Sequence, residues 1–147
     1  MKIVAQNKRI SFDYFIFETY ECGIVLMGTE IKSVRLGKVS INESFVVFKN
    51  NEAFLFNATI AKYPFGNIFN HDETRNRKLL LHKNELLKMA LKVKKEGYTV
   101  MPVKLYFKGS LLKAEIALCK GKKHYDKRED LKAKDQQKRI DKATKYY

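Results

Sequence analysis

Acidic residues are scarce in this chain: 16 Asp and Glu stand against 30 Lys and Arg, a formal net charge of +14 over 147 residues. Cysteine is scarcer still. Cys22 and Cys119 each lie in an apolar stretch, with no CxxC and no Cys/His cluster. That pattern argues against a disulfide scaffold or a zinc site and predicts two buried free thiols in a reducing compartment. No apolar run reaches the roughly 18–20 residues of a membrane-spanning helix. The apolar start, Ile3-Val4-Ala5, is too short for a signal peptide. Histidine occurs only as His71, His82 and His124. His71 beside Asp72, or His82 with Glu85, can mimic the acid–base pair of a nuclease. Lone histidines near acids are commonplace, however. No Ser/His/Asp order, Gly-rich phosphate loop or paired-carboxylate metal motif accompanies them. A non-enzyme without cofactor or metal is expected.

What is present is positive charge and a core. The hydrophobic fraction is 45%, with 12% aromatic residues, enough for one domain plus an appendage. A charge of this sign implies a polyanionic partner: RNA, DNA or an anionic membrane. The chain divides near Lys120. Residues 1–119 hold 19 basic and 11 acidic groups and are rich in Phe, Val, Ile and Leu. Residues 120–147 hold 11 basic and 5 acidic groups and few large apolar residues. The expected organisation is a body over 1–119 and a basic tail over 120–147.

The body reads mainly as strands. Phe12 to Tyr20 alternates aromatic and β-branched residues, and after Gly23 the run Ile24 to Met27 reads as a second strand. Ser44–Phe48 and Ala53–Ile60 flank the hairpin signal Lys49-Asn50-Asn51-Glu52, and Tyr98–Lys108 and Leu111–Lys120 flank Gly109-Ser110. Two helices are predicted. One runs from Thr29, as N-cap, to Leu36, with Gly37 as its stop. The other runs from His82 to Glu96, with Leu86, Leu87, Ala90 and Val93 on one face and Gly97 as its stop. Several short antiparallel strands in so small a body must hide their edges. The expected fold is therefore mainly β with α: a small OB-like antiparallel barrel, closed or nearly so, flanked by helices.

Three polar segments carry the functional signal. Asn7-Lys8-Arg9 can bind phosphate and base edges or can be a solvated arm, and the tripeptide alone favours the arm. In the segment from Asn70 to Leu81, Arg75, Arg77 and Lys78 cluster near His71 and Asn76. Arginine forks suit phosphate and base edges, while pairing to Asp72 and Glu73 is the competing account. The third segment is Gly121-Lys122-Lys123-His124-Tyr125-Asp126-Lys127-Arg128, a basic run with an aromatic inside it, which suits RNA. Beyond it, Asp130–Lys134, Asp135–Arg139 and Asp141–Lys145 are acid-to-base pairs at i,i+4, each worth about 0.2–0.5 kcal/mol in an isolated helix. Helix nucleation outweighs such small terms. The tail is expected to be poorly ordered alone and helical on RNA.

These blocks have a family resemblance. Asn7-Lys8-Arg9, Gly28-Thr29-Glu30-Ile31-Lys32-Ser33-Val34-Arg35, Arg75-x-Arg77-Lys78-Leu79-Leu80-Leu81 and Gly121-Lys122-Lys123-x-Tyr125-Asp126-Lys127-Arg128 stand in the order that resembles the SsrA-binding proteins, or small protein B family, from about Asn7 to about Arg139. The resemblance implies an OB-like barrel, a bacterial cytosolic setting and binding of the tRNA-like domain of tmRNA (SsrA RNA). It also implies delivery to the small subunit of stalled ribosomes, with the protein standing where an anticodon arm would be. Alanyl-tRNA synthetase and elongation factor Tu would act through tmRNA. Carried over by matching residues, Asn7, Lys8, Glu21, Leu80 and Lys113 look like tmRNA-binding positions. Arg9, Arg75, Arg77 and Lys78 join them from the basic blocks. Gly121, Lys122, Lys123, Tyr125, Asp126, Lys127 and Arg128 belong by the same resemblance to the decoding-region tail. The usual Asp-Pro before the Arg cluster is Asp72-Glu73 here.

Overall fold

The computed structural model describes residues 2–65 and 70–122. The tail from Lys123 onward, with Lys123, Tyr125, Asp126, Lys127 and Arg128, lies outside the described residues, as does its expected helix on RNA.

Nine strands and three helices follow one another as β1 (Lys2–Gln6), α1 (Ile10–Asp13), β2 (Tyr14–Ile24), α2 (Gly28–Arg35), β3 (Val39–Ser40), β4 (Phe45–Lys49), β5 (Glu52–Phe56), β6 (Thr59–Ile60), β7 (Arg77–Leu80), α3 (Lys83–Glu96), β8 (Thr99–Lys108) and β9 (Leu111–Gly121) among the described residues. Seven of the strands form one antiparallel sheet in the order β1-β8-β9-β2-β7-β5-β4, and β3 pairs with β6 in a short ribbon. The class is β with α, as expected, but the barrel is not closed. β1 and β4 remain the edges of the sheet. β4 packs on β8 across the core without pairing to β1, and β3 of the ribbon lies beside β1. The seam is thus covered by a second small sheet instead of being sealed by a ladder.

Local chemistry explains most of the elements. Lys49 pairs with Glu52 across a two-residue loop. Asn50 and Asn51 both take positive φ, 52° and 62°, the requirement of a type I′ hairpin that Asn tolerates best after Gly. Gly109, at φ 62°, turns β8 into β9. Helix α2 ends in a Schellman arrangement. Lys38 N–H donates to the Ser33 carbonyl and Gly37 N–H to that of Val34, at 3.0 and 2.9 Å, with Gly37 at φ 78°. Helix α3 stops at Gly97, φ 73°.

Four expectations change. Gly23 does not end a strand: β2 runs through it from Tyr14 to Ile24, preceded by the turn of α1, and the expected separate strand Ile24–Met27 does not form. Asn57, at φ 62°, splits Ala53–Ile60 into β5 and β6. The N-cap of α2 is Met27, not Thr29. The Glu30 carboxylate accepts from the Met27 N–H at 2.7 Å, one half of a capping box. On α3 the buried positions are Leu86 and Met89, whereas Leu87 is 44% exposed.

The main core lies on the inner face of the sheet, where Leu112, Ala114, Ile116 and Leu118 of β9 meet Met89, Leu105 and Leu55. A second, smaller core lies on the outer face, where Ile10 of α1 covers Ala117 and Cys119. β9 is thus apolar on both faces over residues 116–119, the signature of a strand buried on two sides. Its neighbours bulge around it: the registers shift between Ile16 and Glu18 on β2 and between Pro102 and Lys104 on β8. Both cysteines are free and buried, and burial pushes each thiol up to about 12.

Candidate nucleic-acid interface

The outer face of the sheet gathers residues from distant parts of the chain. Directly opposed residues on neighbouring strands point to the same side. One row crosses five strands: Leu80 opposite Gly23, Gly23 opposite Lys113, Lys113 opposite Tyr106, and Tyr106 opposite Ile3. The next row holds Glu21, Glu115, Lys104 and Gln6. Glu21, Leu80 and Lys113, singled out in the sequence, therefore stand together although 92 residues separate the first from the last.

Gly23 makes a recess in this face. Its missing side chain opens a groove of about 310 Å³ bordered by Leu80, Leu111, Ile31 and Lys113. A Cβ at Gly23 would meet Leu80 Cβ at 3.5 Å, an ordinary contact, so the recess reflects an absent side chain and no backbone strain. Leu80 and Leu111 are 54% and 63% exposed. Lys113 makes no ion pair among the described residues, leaving its ammonium open to an anion.

Glu21 is held rather than free. Tyr106 Oη donates to its carboxylate, and Lys108 Nζ lies 3.2 Å away. The hydrogen bonds from Tyr106 and Lys108 hold the Glu21 carboxyl below the usual range. Burial, then the bond to Glu21, pushes the Tyr106 hydroxyl up. Tyr106 and Lys108 escaped the sequence reading. Their signal was register: both lie on β8 at positions that a hairpin around Gly109-Ser110 brings back toward β2.

The N-terminal block sits at the end of β1. Lys8 and Arg9 are exposed. Asn7 is buried, its N–H donating to the Val103 carbonyl at 2.8 Å and its Oδ1 accepting from the Arg9 N–H at 3.2 Å. Val103 is the extra residue of the β8 bulge. Asn7 thus shapes the turn that presents Lys8 and Arg9 and lines a polar groove with Arg9, Asp13 and Asn42.

The basic cluster of the 70–81 segment corrects the sequence reading. Arg77 is fully buried and does not face a ligand. It donates to Glu30 Oε2 at 2.9 Å, to the Ala58 carbonyl at 2.7 Å and to the Asp72 and Glu73 carbonyls. Arg75 forks onto the same carboxylate, at 2.7 Å to Oε1 and 3.2 Å to Oε2. The partner is Glu30 of α2, not the side chains of Asp72 and Glu73. Burial alone would raise the Glu30 carboxyl. The hydrogen bonds from Arg75, the Met27 N–H and Arg77 outweigh it and hold the group below its usual range. Lys78 pairs with Glu52 at 2.9 Å on the surface. His71 is buried. Its Nδ1 meets Thr29 Oγ1 at 2.8 Å, and its Nε2 meets the Ile60 and Ala61 carbonyls at 2.9 and 3.0 Å. Both ring nitrogens are engaged in holding α2 to the β6 region. Gly121 ends β9 and Lys122 follows it, its Nζ donating to the Ser11 carbonyl at 2.8 Å. Among the described residues no group of three or more His, Cys, Asp or Glu side chains could hold a metal ion, and no helix is long and apolar enough to cross a membrane.

Comparison with known proteins shows which family the chain belongs to. The family model described as SmpB protein matches residues 4–146. The chain belongs to the SmpB family. A protein named SsrA-binding protein from Geotalea uraniireducens (strain Rf4) is 53% identical over 144 residues, covering 98% of this chain and 95% of its own. Its namesake in Shouchella clausii (strain KSM-K16) is 51% identical, covering 98% and 92%. A chain of the solved structure "tmRNA-SmpB: a journey to the center of the bacterial ribosome" matches with a TM-score of 0.69 and 48% identity, over 87% of this chain and 91% of that one. The SmpB resemblance drawn from four sequence blocks is thereby established over nearly the full length.

Proposed function

We propose that this SmpB-family chain binds the tRNA-like domain of tmRNA through its outer sheet face and delivers it to stalled ribosomes. The observation that carries this reading is the convergence of Leu80, Lys113 and Glu21 around the Gly23 recess. An open ammonium beside an apolar seat suits a phosphate and an unstacked base of one nucleotide. Lys8 and Arg9, presented by the Asn7 turn, supply further phosphate contacts. Glu21, preset by Tyr106 and Lys108, accepts from a base amino group or orients the neighbouring lysine. Arg75 acts from the rim by fixing the loop, and Arg77 acts only through the fold.

In this proposal residues 120–147 enter the ribosomal decoding region, with Gly121, Lys122, Lys123, Tyr125, Asp126, Lys127 and Arg128 as the first contacts and Tyr125 stacking on a base. The protein works in the cytoplasm as a non-enzyme without cofactor. Alanyl-tRNA synthetase and elongation factor Tu meet it through tmRNA. The relatives' name and the high coverage of the match support the tmRNA-binding part of this reading.

The decisive experiment is truncation after Lys120. The expected result is tmRNA affinity close to that of the full chain, measured by gel shift, with tagging on stalled ribosomes abolished. Loss of tmRNA binding on truncation would overturn the assignment of the two regions.

A further inference from the structure

A carboxylate in the middle of the outer face is out of place if that face only holds phosphate. Glu21 of β2 lies directly opposite Glu115 of β9, and like charges so placed repel across a ladder. Each is compensated by a lysine: Lys104 Nζ lies 3.5 Å from Glu115, and Lys108 Nζ lies 3.2 Å from Glu21. Glu21 also holds a hydroxyl. Tyr106 starts from β8, opposite Lys113 of β9, and its side chain crosses β9 to donate to Glu21 Oε2 on the strand beyond. Tyr106 is 4% exposed, whereas the Glu21 side chain is 39% exposed. A buried hydroxyl therefore fixes a carboxylate that solvent still reaches. Tyr106 and Lys108 fill only part of the roughly four acceptor sites that a carboxylate offers.

A surface ion pair with Lys108 contributes little by itself, and a carboxylate repels the phosphates that the lysines of this face attract. A hydrogen-bond donor on a base offsets that repulsion. The bonds from Tyr106 and Lys108 hold the Glu21 carboxyl below its usual range, so at neutral pH it is ionised and only accepts. Among the RNA bases, guanine alone carries two adjacent donors on its Watson–Crick edge. Its N1 imino and N2 amino groups are spaced to meet both oxygens of one carboxylate. Adenine and cytosine offer an amino group beside a ring-nitrogen acceptor, and uracil an imino group between two carbonyls. In each of those an acceptor would face the second carboxylate oxygen, leaving both unpaired.

We infer that Glu21 reads the Watson–Crick edge of one unpaired guanine in the tRNA-like domain, and that Tyr106 is the positioning residue for that contact. The inference rests on the proposed reading of the outer face as the tmRNA surface. It adds base identity to a site that Lys113 and the Gly23 recess hold by phosphate and shape. Two residue steps of β2, about 7 Å, part Glu21 from Gly23, so a base seated in the recess has its edge within reach of the carboxylate.

The test measures binding of the full chain to the tRNA-like domain of tmRNA by gel shift. Each unpaired guanosine is replaced in turn by inosine, which lacks only the 2-amino group. One replacement is expected to weaken wild-type binding about tenfold, the discrimination of one bidentate base contact. The same replacement should weaken Glu21→Ala no further, because its partner is already gone. Tyr106→Phe keeps the ring and removes the hydroxyl, and it should shrink the difference between guanosine and inosine. A merely structural tyrosine would weaken binding of both RNAs equally and leave their ratio unchanged. If Tyr106→Phe melts early, the exposed Glu21→Ala decides the matter. The inference is overturned if no inosine weakens wild-type binding, or if the same inosine weakens wild type and Glu21→Ala equally. Weaker binding by Lys113→Ala and Gly23→Val alongside either result leaves the outer-face reading standing without a guanine contact. Unchanged binding in Lys113→Ala, Gly23→Val and Glu21→Ala removes that reading and this inference together.

Discussion

Arg77 and Lys113 look alike in the sequence, each a cation embedded in an apolar strand, yet the fold gives them opposite environments. Arg77 is sealed inside against Glu30. Lys113 stands beside a recess and makes no ion pair among the described residues. The difference is made by a single acidic residue on α2. Where a buried carboxylate waits, an arginine is consumed by the structure. Where the neighbour is a glycine, a lysine remains available to a ligand. Density of positive charge along the chain therefore does not locate a binding face. The distribution of the acids does.

The largest effect should come from breaking the interior side of this pair. Arg77→Met leaves the Glu30 charge buried with only half-exposed Arg75 beside it. The expected loss is about 3–5 kcal/mol of stability, read by denaturant unfolding, with no change in the salt dependence of tmRNA binding below the melting range. A flattened salt slope in the folded variant would put Arg77 on the interface after all.

Glu30→Gln sharpens the same side through pH. The folded carboxyl lies below its ordinary 4.5, so its contribution is complete above that value and fades as pH falls through the lowered one. The stability gap between wild type and Glu30→Gln should hold steady at neutral pH and narrow below about 4.5. A gap independent of pH would mean that the charge of Glu30 does not matter.

On the outer side, Gly23→Val fills the recess. Chain stability should hold, because Val favours strands. The tmRNA affinity should fall by about 1–3 kcal/mol, the value of one seated base. Normal affinity would show that the recess is empty in the complex. The smallest change is Lys113→Ala, which should lower the log–log salt slope of tmRNA binding by about 0.7–0.9, without touching the melting temperature.

Much of this was legible in the sequence. Asn50-Asn51 and Gly109-Ser110 announced their hairpins, and Gly37 and Gly97 their helix ends, because turn chemistry is local. The strand boundary at Gly23 was misread for a related reason. Glycine usually punctuates, and only the pairing of β2 with both β7 and β9 shows that it lies inside a strand. The fate of Arg77 was not legible, since its partner Glu30 lies 47 residues away and burial depends on how α2 packs. Leu87 and Met89 were exchanged on α3 because both fit a helical period, and the sheet decides which of them it covers.

The regularity of β9 has a consequence for how far apart the two ends of this molecule's work can be. Its neighbours carry the bulges, while β9 pairs without interruption from Leu111 to Gly121. Eight residue steps separate Lys113 from Gly121, roughly 27 Å at about 3.4 Å each. The strand is a ruler, graduated in residues, fixing the distance from the Gly23 recess to the last residue of β9. One residue added or removed between those marks would shift the length by a single step and turn every later side chain to the other face, so the outlet of the tail is set by counting.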